Sequence, residues 1–208
     1  MNLAATLRDG LNDLDISLND FQIEQLLDYL NLLERWNKSY NLTAIVEPEK
    51  MLYYHLLDSL AIVHQLRDVH LALDVGSGAG LPGLPLAIAL PDSKWTLLDS
   101  NGKKTRFMQQ ALAVCKVDNA EVVKSRVEDY YAPSPLDMII SRAYASLGNF
   151  TASVKHLLSS ETKLMTMKTG LDDQEALLMD TTLYTLQEFE LRVPGISERR
   201  SLVVVEQK

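Results

Sequence analysis

The feature that most constrains the fold is a glycine-rich turn, L-D-V-G-S-G-A-G-L-P-G, at residues 73–83. The apolar run that leads into it reads as a strand, and Leu84–Leu90 after it reads as a helix. Glycine has no Cβ atom, so Gly76, Gly78 and Gly80 can adopt positive φ angles and let a ligand approach the backbone closely. A strand, a glycine turn and a helix in this order predict a nucleotide-like ligand at the carboxyl end of a parallel strand.

From residue 70 onward, short apolar runs alternate with amphipathic segments, which is typical of β-α-β units. The last two strand-like runs, Leu183–Val193 and Ser201–Glu206, are joined through Pro194-Gly195 and predict an antiparallel hairpin. By analogy of fold, a Rossmann-like, mostly parallel α/β sheet closed by such a hairpin is the class I S-adenosylmethionine-dependent methyltransferase arrangement. The other expected strands are His70–Val75, Trp95–Leu98, Glu121–Val123, Met138–Ile140 and Lys163–Met167, and the expected helices are Leu84–Leu90, Lys103–Val114 and Leu147–Leu158.

The part of the chain before residue 70 reads as helical. Ser17 and Asp20 resemble a capping box at the start of a helix. The segment W-N-K-S-Y-N-L-T, residues 36–43, is expected to turn the chain before a second helical stretch over Met51–Leu66. The apolar face of the first helix has a 3.6-residue period and consists of Ile23, Leu26, Leu27, Leu30 and Leu33.

Length and composition indicate a single core with an accessory segment. The chain has 208 residues, 47% of them apolar, and a net charge of −8 that argues against indiscriminate nucleic-acid binding. No run is long enough for a membrane helix, residues 1–10 lack a secretory signal, and the one cysteine, Cys115, reads as a buried apolar residue on a helix. We expect a cytoplasmic protein in which a helical segment, residues 1–68, packs on a methyltransferase domain, residues 69–208.

The glycine turn fits two kinds of cofactor. Gly78-x-Gly80-x-x-Gly83 matches the dinucleotide fingerprint, and Asp99 lies 19 residues after Gly80, near the position of the ribose-binding acid. Asp74, at the end of the first strand, favours S-adenosylmethionine, because a carboxylate there repels phosphates but attracts a cationic sulfonium. The rest of the sequence also shows no obvious second domain that we would expect to hold a hydride acceptor. We expect S-adenosylmethionine, with S-adenosylhomocysteine as the product, and a nicotinamide as the alternative.

Acidic residues follow the next two strands. Asp99 ends the run W-T-L-L-D and can accept both ribose hydroxyls; the alternative is an N-cap for a helix that begins near Ser100. Val127 and Glu128, in S-R-V-E-D-Y after the third strand, lie where an adenine ring would be bound. No set of His, Cys and acidic residues has the spacing of metal ligands, so no metal site is expected.

Six segments resemble the GidB (glucose-inhibited division protein B) family of bacterial 16S ribosomal RNA guanine-N7 methyltransferases, and the resemblance extends over essentially the whole chain. Generic methyltransferases share only the glycine turn and the acid after the second strand, so the first two segments make the resemblance specific. The six are W-N-K-S-Y-N-L-T at 36–43, H-L-L-D-S at 55–59, D-V-G-S-G-A-G-L-P-G at 74–83, L-L-D-S at 97–100, S-R-V-E at 125–128 and I-S-R-A at 140–143.

The resemblance implies methyl transfer to N7 of guanine 527, in the 530 loop of 16S rRNA. The chain departs from the family pattern at Tyr54, where an arginine is common, and at Lys168-Thr169-Gly170, which replaces a Lys-Gly pair. Both departures bear on details of RNA contact. Together with the turn, the cofactor-binding residues expected here are Asp74, Gly76, Gly78, Gly80, Leu81, Asp99, Val127, Glu128 and Arg142.

Methylation at guanine N7 needs no general base, because N7 has a free lone pair and no proton to lose. We therefore expect catalysis by alignment and electrostatics, with no residue acting as an acid or base. Arg142 ends the fourth strand, where it either contacts cofactor or guanine or pairs with a neighbouring acid. His55 and Asp58, three residues apart on one helix, either face the pocket or bond to each other. These three are the expected positioning residues.

An acidic protein that modifies RNA must concentrate its positive charge locally. We expect 16S rRNA, naked or in the 30S subunit, to be recognised by shape and by local basic patches. No membrane partner is expected, and the protein is expected to be a monomer. The basic residues expected to contact RNA are Lys38, Lys103, Lys104, Arg106, Lys168, Arg199 and Arg200.

Other function classes stay open from the residues alone. The same fold could methylate a small molecule or a protein, and the glycine turn could serve a nicotinamide-dependent oxidoreductase or a non-enzymatic nucleotide-binding module. The sequence does not decide between naked RNA and an assembled subunit as the substrate.

Overall fold

A computed structural model describes residues 2–142, 146–170, 179–180 and 182–208. These residues form a seven-stranded sheet in the order β3-β2-β1-β4-β5-β7-β6. The first five strands in this order pair in parallel, and β7 and β6 pair antiparallel to their neighbours. The strands are β1 Leu71–Val75, β2 Lys94–Asp99, β3 Ala120–Lys124, β4 Met138–Ser141, β5 Lys163–Lys168, β6 Tyr184–Leu191 and β7 Arg200–Gln207.

Helices cover both faces of the sheet, so the central strands are buried along their length; every residue of β4 is buried. Between α3 and α4 the helix widens to a π-helical segment, Leu52–Leu57. Short 3₁₀ turns lie at Val63–Leu66, Val127–Asp129 and Lys155–Leu157. The α-helices are α1 Leu3–Asp13, α2 Asp20–Tyr40, α3 Pro48–Met51, α4 Asp58–Leu60, α5 Gly83–Ala89, α6 Gly102–Val114 and α7 Leu147–Val154.

The predicted α/β class, the parallel strands and the C-terminal hairpin are confirmed. The chain builds the sheet outward in two directions from its centre: β2 and β3 lie on one side of β1, and β4 and β5 lie on the other. The strand order therefore reverses between β1 and β4. Ligands of open α/β sheets bind in the crevice at the carboxyl ends of strands at such a point. The carboxyl edge of β1 and β4 is therefore the expected place of a ligand site.

Two details of the N-terminal helices differ from the prediction. The capping box of α2 is formed by Asn19 and Gln22, not by Ser17 and Asp20. Asn19 is the residue with extended backbone directly before the helix, so only its side chain can reach the free N–H groups of the first turn. Asp20 is instead the first helical residue and pairs with Arg8 on the surface.

The segment W-N-K-S-Y-N-L-T does not turn the chain along its length. Its first five residues continue α2 to Tyr40, and the helix ends at Asn41, which has a left-handed backbone with φ of 50°. Trp36 packs edge-on against Phe107 of α6, with ring centroids 5.6 Å apart, and this contact favours helix through an otherwise polar stretch.

The N-terminal helices share one hydrophobic core with α5 and α6. Leu7, Leu26 and Leu56 are fully buried in the same cluster as Phe107. Cys115, at the end of α6, is buried too, and its carbonyl accepts a hydrogen bond from Gln25 of α2. Within the described ranges, no helix has both the length and the apolar character needed to cross a membrane.

Candidate active site

Two depressions lie along the carboxyl edge of the parallel strands. The first, of about 280 Å³, is called the glycine-turn cleft, and its lining residues are Val75, Gly76, Leu98, Asp99, Ser100, Lys104, Ser125, Arg126, Val127 and Glu128. The second, of about 440 Å³, is called the arginine pocket, and its lining residues are Ile45, Tyr54, His55, Asp58, Arg142, Thr166, Met167, Lys168, Thr169, Gly170, Leu191, Arg200 and Ser201.

The glycine turn adopts the backbone that its sequence predicts. Gly76, Gly78 and Gly80 have φ angles of 69°, 61° and 85°, a region that residues with a Cβ atom rarely adopt. A Cβ atom built on Gly76 would meet nothing within 4 Å, so the backbone there faces open space. Tyr29 of α2 donates a 2.8 Å hydrogen bond to the carbonyl of Ala79 and so ties the turn to the helical layer. The turn is open to a ligand on one side and held on the other.

Asp74 lies beneath the turn and is fully buried. Its Oδ2 atom accepts a 2.9 Å hydrogen bond from the backbone N–H of Gly83, while its Oδ1 atom has no partner among the described residues. Burial raises the pKa of Asp74 to about 7. A Cβ atom on Gly83 would lie 2.7 Å from Asp74 Oδ2 and would collide with Leu97, so only glycine allows this close packing. This oxygen is a buried acceptor that no described residue satisfies.

Asp99 joins β2 to the glycine turn. One carboxylate oxygen accepts from the backbone N–H of Gly78 at 2.9 Å and the other from that of Asn101 at 2.8 Å. The N-cap of α6 is Asn101, so the alternative that Asp99 caps this helix is wrong. Lys104 places its Nζ atom 3.9 Å from Asp99. Each oxygen keeps a lone pair with which to accept a ligand hydroxyl.

The structure brings some of the expected cofactor residues together and separates others. Val127 and Glu128 lie on the 3₁₀ turn after β3 and line the glycine-turn cleft with Gly76 and Asp99. Leu81 is buried behind the turn. Asp74, Gly78 and Gly80 shape the turn without lining the cleft, and Arg142 lines the arginine pocket instead.

Asp58 organises the arginine pocket. Its Oδ1 atom accepts from Nε of Arg200 at 3.1 Å, and its Oδ2 atom lies 3.5 Å from Nη1 of Arg142. Burial raises the pKa of Asp58, and the two guanidinium groups oppose that shift. Arg142 also donates to the carbonyl of Tyr54 at 2.9 Å. One carboxylate thus ties the N-terminal helices to the end of β4 and the start of β7.

His55 lines the same pocket as a neutral ring. Burial, followed by the charge of Arg142, lowers the pKa of His55 to about 4. Its Nε2 atom lies 2.9 Å from Oγ1 of Thr43, and its Nδ1 atom has no partner among the described residues. His55 and Asp58 therefore both face the pocket, each with its own partner, and the alternative that they bond to each other is wrong.

Sequence reasoning missed the residues that orient His55. The side chain of Asn37 accepts from the backbone N–H of Thr43 at 2.9 Å and donates to the carbonyl of Ile45 at 3.3 Å, which shapes the loop after α2. Thr43 then contacts His55. Asn37 and Thr43 belong to the segment W-N-K-S-Y-N-L-T, and His55 belongs to H-L-L-D-S. The one available signal was that Asn and Thr side chains near the end of a helix often bond to the backbone of the following loop.

Three of the residues expected to contact RNA line the two depressions. Lys168 lies at the arginine pocket and Lys104 at the glycine-turn cleft. Arg200 is paired with Asp58, and only 14% of its side chain is exposed. Its pairing fixes its position at the pocket wall.

The other four lie on the surface near the same edge. Lys103 and Arg106 are exposed on the first two turns of α6, which follows β2. Lys38, in the last turn of α2, pairs with Glu34 at 2.9 Å, and Arg199 pairs with Glu188 at 3.0 Å. Surface ion pairs of this kind contribute little to stability.

A larger groove, of about 640 Å³, lies at the opposite edge of the sheet, by Leu71, Lys94 and Ala120 at the amino ends of β1, β2 and β3. Sheets of this type bind their ligands at the carboxyl ends of strands. The glycine-turn cleft and the arginine pocket therefore form the candidate site. Of the six segments singled out in the sequence, only the end of I-S-R-A falls outside the described residues, at Ala143.

Comparisons with known proteins agree on one family. The family described as rRNA small subunit methyltransferase G matches residues 22–203. Ribosomal RNA small subunit methyltransferase G of Ectopseudomonas mendocina (strain ymp) is 48% identical over 97% of this chain and 95% of the relative. The protein of that name from Pseudomonas syringae pv. syringae (strain B728a) is 44% identical over 97% of this chain and 94% of the relative. A SAM-dependent O-methyltransferase from Thermotoga maritima shares the fold, with a TM-score of 0.57 and 16% identity over 84% of this chain and 70% of that one.

Proposed function

The chain belongs to the GidB family of rRNA small subunit methyltransferases, and we propose that it transfers a methyl group from S-adenosylmethionine to N7 of guanine 527 in 16S rRNA. The observation that carries the proposal is a cleft beneath a glycine turn beside a cationic pocket, both at the carboxyl edge of one sheet. The first suits an adenosyl cofactor and the second a nucleotide of RNA. Membership of a methyltransferase family removes the nicotinamide alternative.

The residues of the glycine-turn cleft fit S-adenosylmethionine. Asp74 is buried directly beneath the turn, so its negative charge would attract the cationic end of the molecule from behind the cleft wall, and Asp99 offers lone pairs to the ribose hydroxyls. Val127 and Glu128 would hold the adenine ring. Bound there, S-adenosylmethionine supplies a methyl group activated by a sulfonium centre.

Replacing Asp99 by alanine is expected to weaken S-adenosylmethionine binding about 10- to 100-fold, because hydrogen bonds to a charged group each contribute about 1.5–3 kcal/mol. Titration calorimetry measures the affinity, and thermal melting reports whether the turn still folds. Asp92→Ala, an exposed acid in the loop before β2, is the matched control and should leave the affinity unchanged. Equal affinities in the two variants would contradict the ribose assignment.

The chain's own contribution to catalysis is placement. Guanine N7 attacks with its lone pair and no proton is removed, so alignment and exclusion of water suffice. His55 is held neutral by burial and by Arg142, so it presents no charge to the electrophile. Arg142 and Arg200 supply the positive charge that a phosphate-bearing substrate needs.

The rate of methyl transfer should therefore not rise or fall between pH 6 and 9 because of a change in the protonation of His55. The low pKa of His55, about 4, leaves the ring neutral throughout this range. The measurement is a single-turnover pH profile of the wild type and of His55→Gln. A steep limb near neutral pH that disappears in the variant would mean that the ring exchanges a proton during the reaction.

The substrate we propose is 16S rRNA, naked or within the 30S subunit, modified by a monomeric cytoplasmic enzyme. The basic residues near the sheet edge, Lys103 and Arg106 among them, would meet its phosphates, so binding should weaken as salt rises. The test is transfer of labelled methyl to 30S subunits and to naked 16S rRNA from cells lacking this gene, followed by mapping of 7-methylguanosine. Label at guanine 527 supports the proposal, and no label on either substrate with S-adenosylmethionine bound overturns it.

A further inference from the structure

Tyr54 has a fixed position at the mouth of the arginine pocket. Its hydroxyl lies 3.1 Å from each carboxylate oxygen of Glu198, to which it donates, and its ring is half-buried. The guanidinium carbon of Arg200 lies over the ring, 5.7 Å from its centroid. The side chain is thus held at its tip and along its ring while it still lines the pocket.

The groups that hold Tyr54 are themselves held. Arg200 is bonded to Asp58, and Arg142 donates to the backbone carbonyl of Tyr54. The neighbouring Tyr53 packs so closely on Gly195 of the β6–β7 connection that a Cβ atom there would collide with its ring. The π-helical segment therefore presents two aromatic rings, one packed on the hairpin and one at the pocket. An aromatic ring placed in this way has lost its conformational freedom before any ligand binds.

The proposed reaction changes the charge of its acceptor. The lone pair of guanine N7 forms the new N–C bond, the electrons of the C–S bond pass to sulfur, and no proton leaves. The positive charge moves from the sulfonium to the base, so the base is cationic in the product and partly cationic in the transition state. The face of an aromatic ring attracts a cation. A phenol that donates to a carboxylate has a more electron-rich ring, which strengthens this attraction.

We propose that the face of Tyr54 not covered by Arg200 is the platform on which the acceptor guanine stacks, and that Glu198 and Arg200 fix the ring for this purpose. The inference rests on the proposed function and specifies the pocket that takes the base. Stacking on an aromatic ring contributes to binding for any base, and the gain in charge makes the contact stronger for the methylated base than for guanine. Tyr54 therefore acts on the turnover rate as well as on binding.

The test replaces Tyr54 by leucine, which removes the ring, and by tryptophan, which keeps one. Tyr54→Leu should lower kcat/KM for 30S subunits about 5- to 100-fold, with part of the loss in kcat, and should leave the affinity for S-adenosylmethionine unchanged. Loss of the contacts with Glu198 and Arg200 should lower the melting temperature by only about 2–4 °C. Tyr54→Trp keeps an aromatic face but loses the bond to Glu198, so it should retain clearly more activity than Tyr54→Leu. Tyr131→Leu is the matched control, because Tyr131 is 78% exposed and lies outside both depressions.

A second measurement does not depend on turnover. The wild type, loaded with S-adenosylhomocysteine, should bind 7-methylguanosine monophosphate more tightly than guanosine monophosphate in NMR titrations, and Tyr54→Leu should lose the preference. The proposal is overturned if Tyr54→Leu methylates like the wild type, if Tyr54→Trp is as damaged as Tyr54→Leu, or if the wild type has no preference between the nucleotides. Absence of methyl transfer to 30S subunits with the preference intact would overturn the rRNA assignment alone.

Discussion

Replacing Asp58 by alanine should lower the free energy of unfolding by about 3–5 kcal/mol, because the change leaves two partly buried guanidinium groups without their shared carboxylate. The side chains of Arg142 and Arg200 are only 23% and 14% exposed, so water cannot fully take over the role of Asp58. The same change releases both arginines from the arginine pocket. Methyl transfer to 30S subunits should fall at least about tenfold, as expected when positioning is lost.

Urea unfolding and single-turnover methylation measure the two effects of Asp58→Ala. The matched control is Asp20→Ala, which breaks an ion pair with Arg8 whose acid is 90% exposed. Such a surface pair contributes about 0–1 kcal/mol, so Asp20→Ala should unfold almost like the wild type. If the two variants unfold at the same urea concentration, Asp58 does not hold the arginines together. Asp58→Asn keeps the shape of the side chain and separates loss of charge from loss of packing.

Replacing Asp74 by asparagine should stabilise the protein without cofactor at pH 8 and should stabilise it much less at pH 5. Burial raises the pKa of Asp74 to about 7 from an ordinary value of 3.8, so the folded protein favours the protonated acid. The stability that this preference contributes is complete below pH 3.8 and is lost as the pH rises through 7. Asparagine does not ionise and keeps an oxygen for Gly83, so it avoids a loss of at most about 4 kcal/mol.

Denaturant unfolding of the wild type and of Asp74→Asn at pH 5 and pH 8, both without cofactor, tests this expectation. Asp92→Asn, exposed at the other edge of the sheet, should show no such pH-dependent difference. A difference between wild type and Asp74→Asn that is the same at both pH values would contradict it. With cofactor present the order should reverse, because the ionised carboxylate attracts a cation and asparagine does not. Asp74 would then be a residue that lowers the stability of the protein without cofactor and contributes to cofactor binding.

The parts of the fold and site that could be predicted are those that depend on residues close together in the sequence. The glycine turn and Asp99 stand directly after apolar strands, and parallel strands bring their carboxyl ends to one edge, so their proximity follows from order along the chain. The hairpin was marked by Pro194-Gly195 between two strand-like runs. These signals involve residues that are close in sequence or have a period that fixes their face.

The parts that escaped prediction depend on contacts between distant segments. Asp58, Arg142 and Arg200 come from three separate elements, and no spacing rule indicates that one carboxylate would serve both arginines. The length of α2 depends on Trp36 meeting Phe107, a tertiary contact that overrides the polar character of the stretch. Local propensities predict neither the shared carboxylate of Asp58 nor the point at which α2 ends.

The way the glycine turn is held has a consequence for how a cofactor arrives. Tyr29 from α2, Asp99 from β2 and Asp74 from β1 each bond to the turn, at the carbonyl of Ala79 and the N–H groups of Gly78 and Gly83. A loop fixed by three elements populates its binding-competent shape before it meets a ligand. The measured affinity of the protein for the cofactor then equals the intrinsic affinity, because no molecules have to reshape the loop before they bind. Encounter with the cofactor would be limited by diffusion into the cleft, not by reorganisation of the backbone around it.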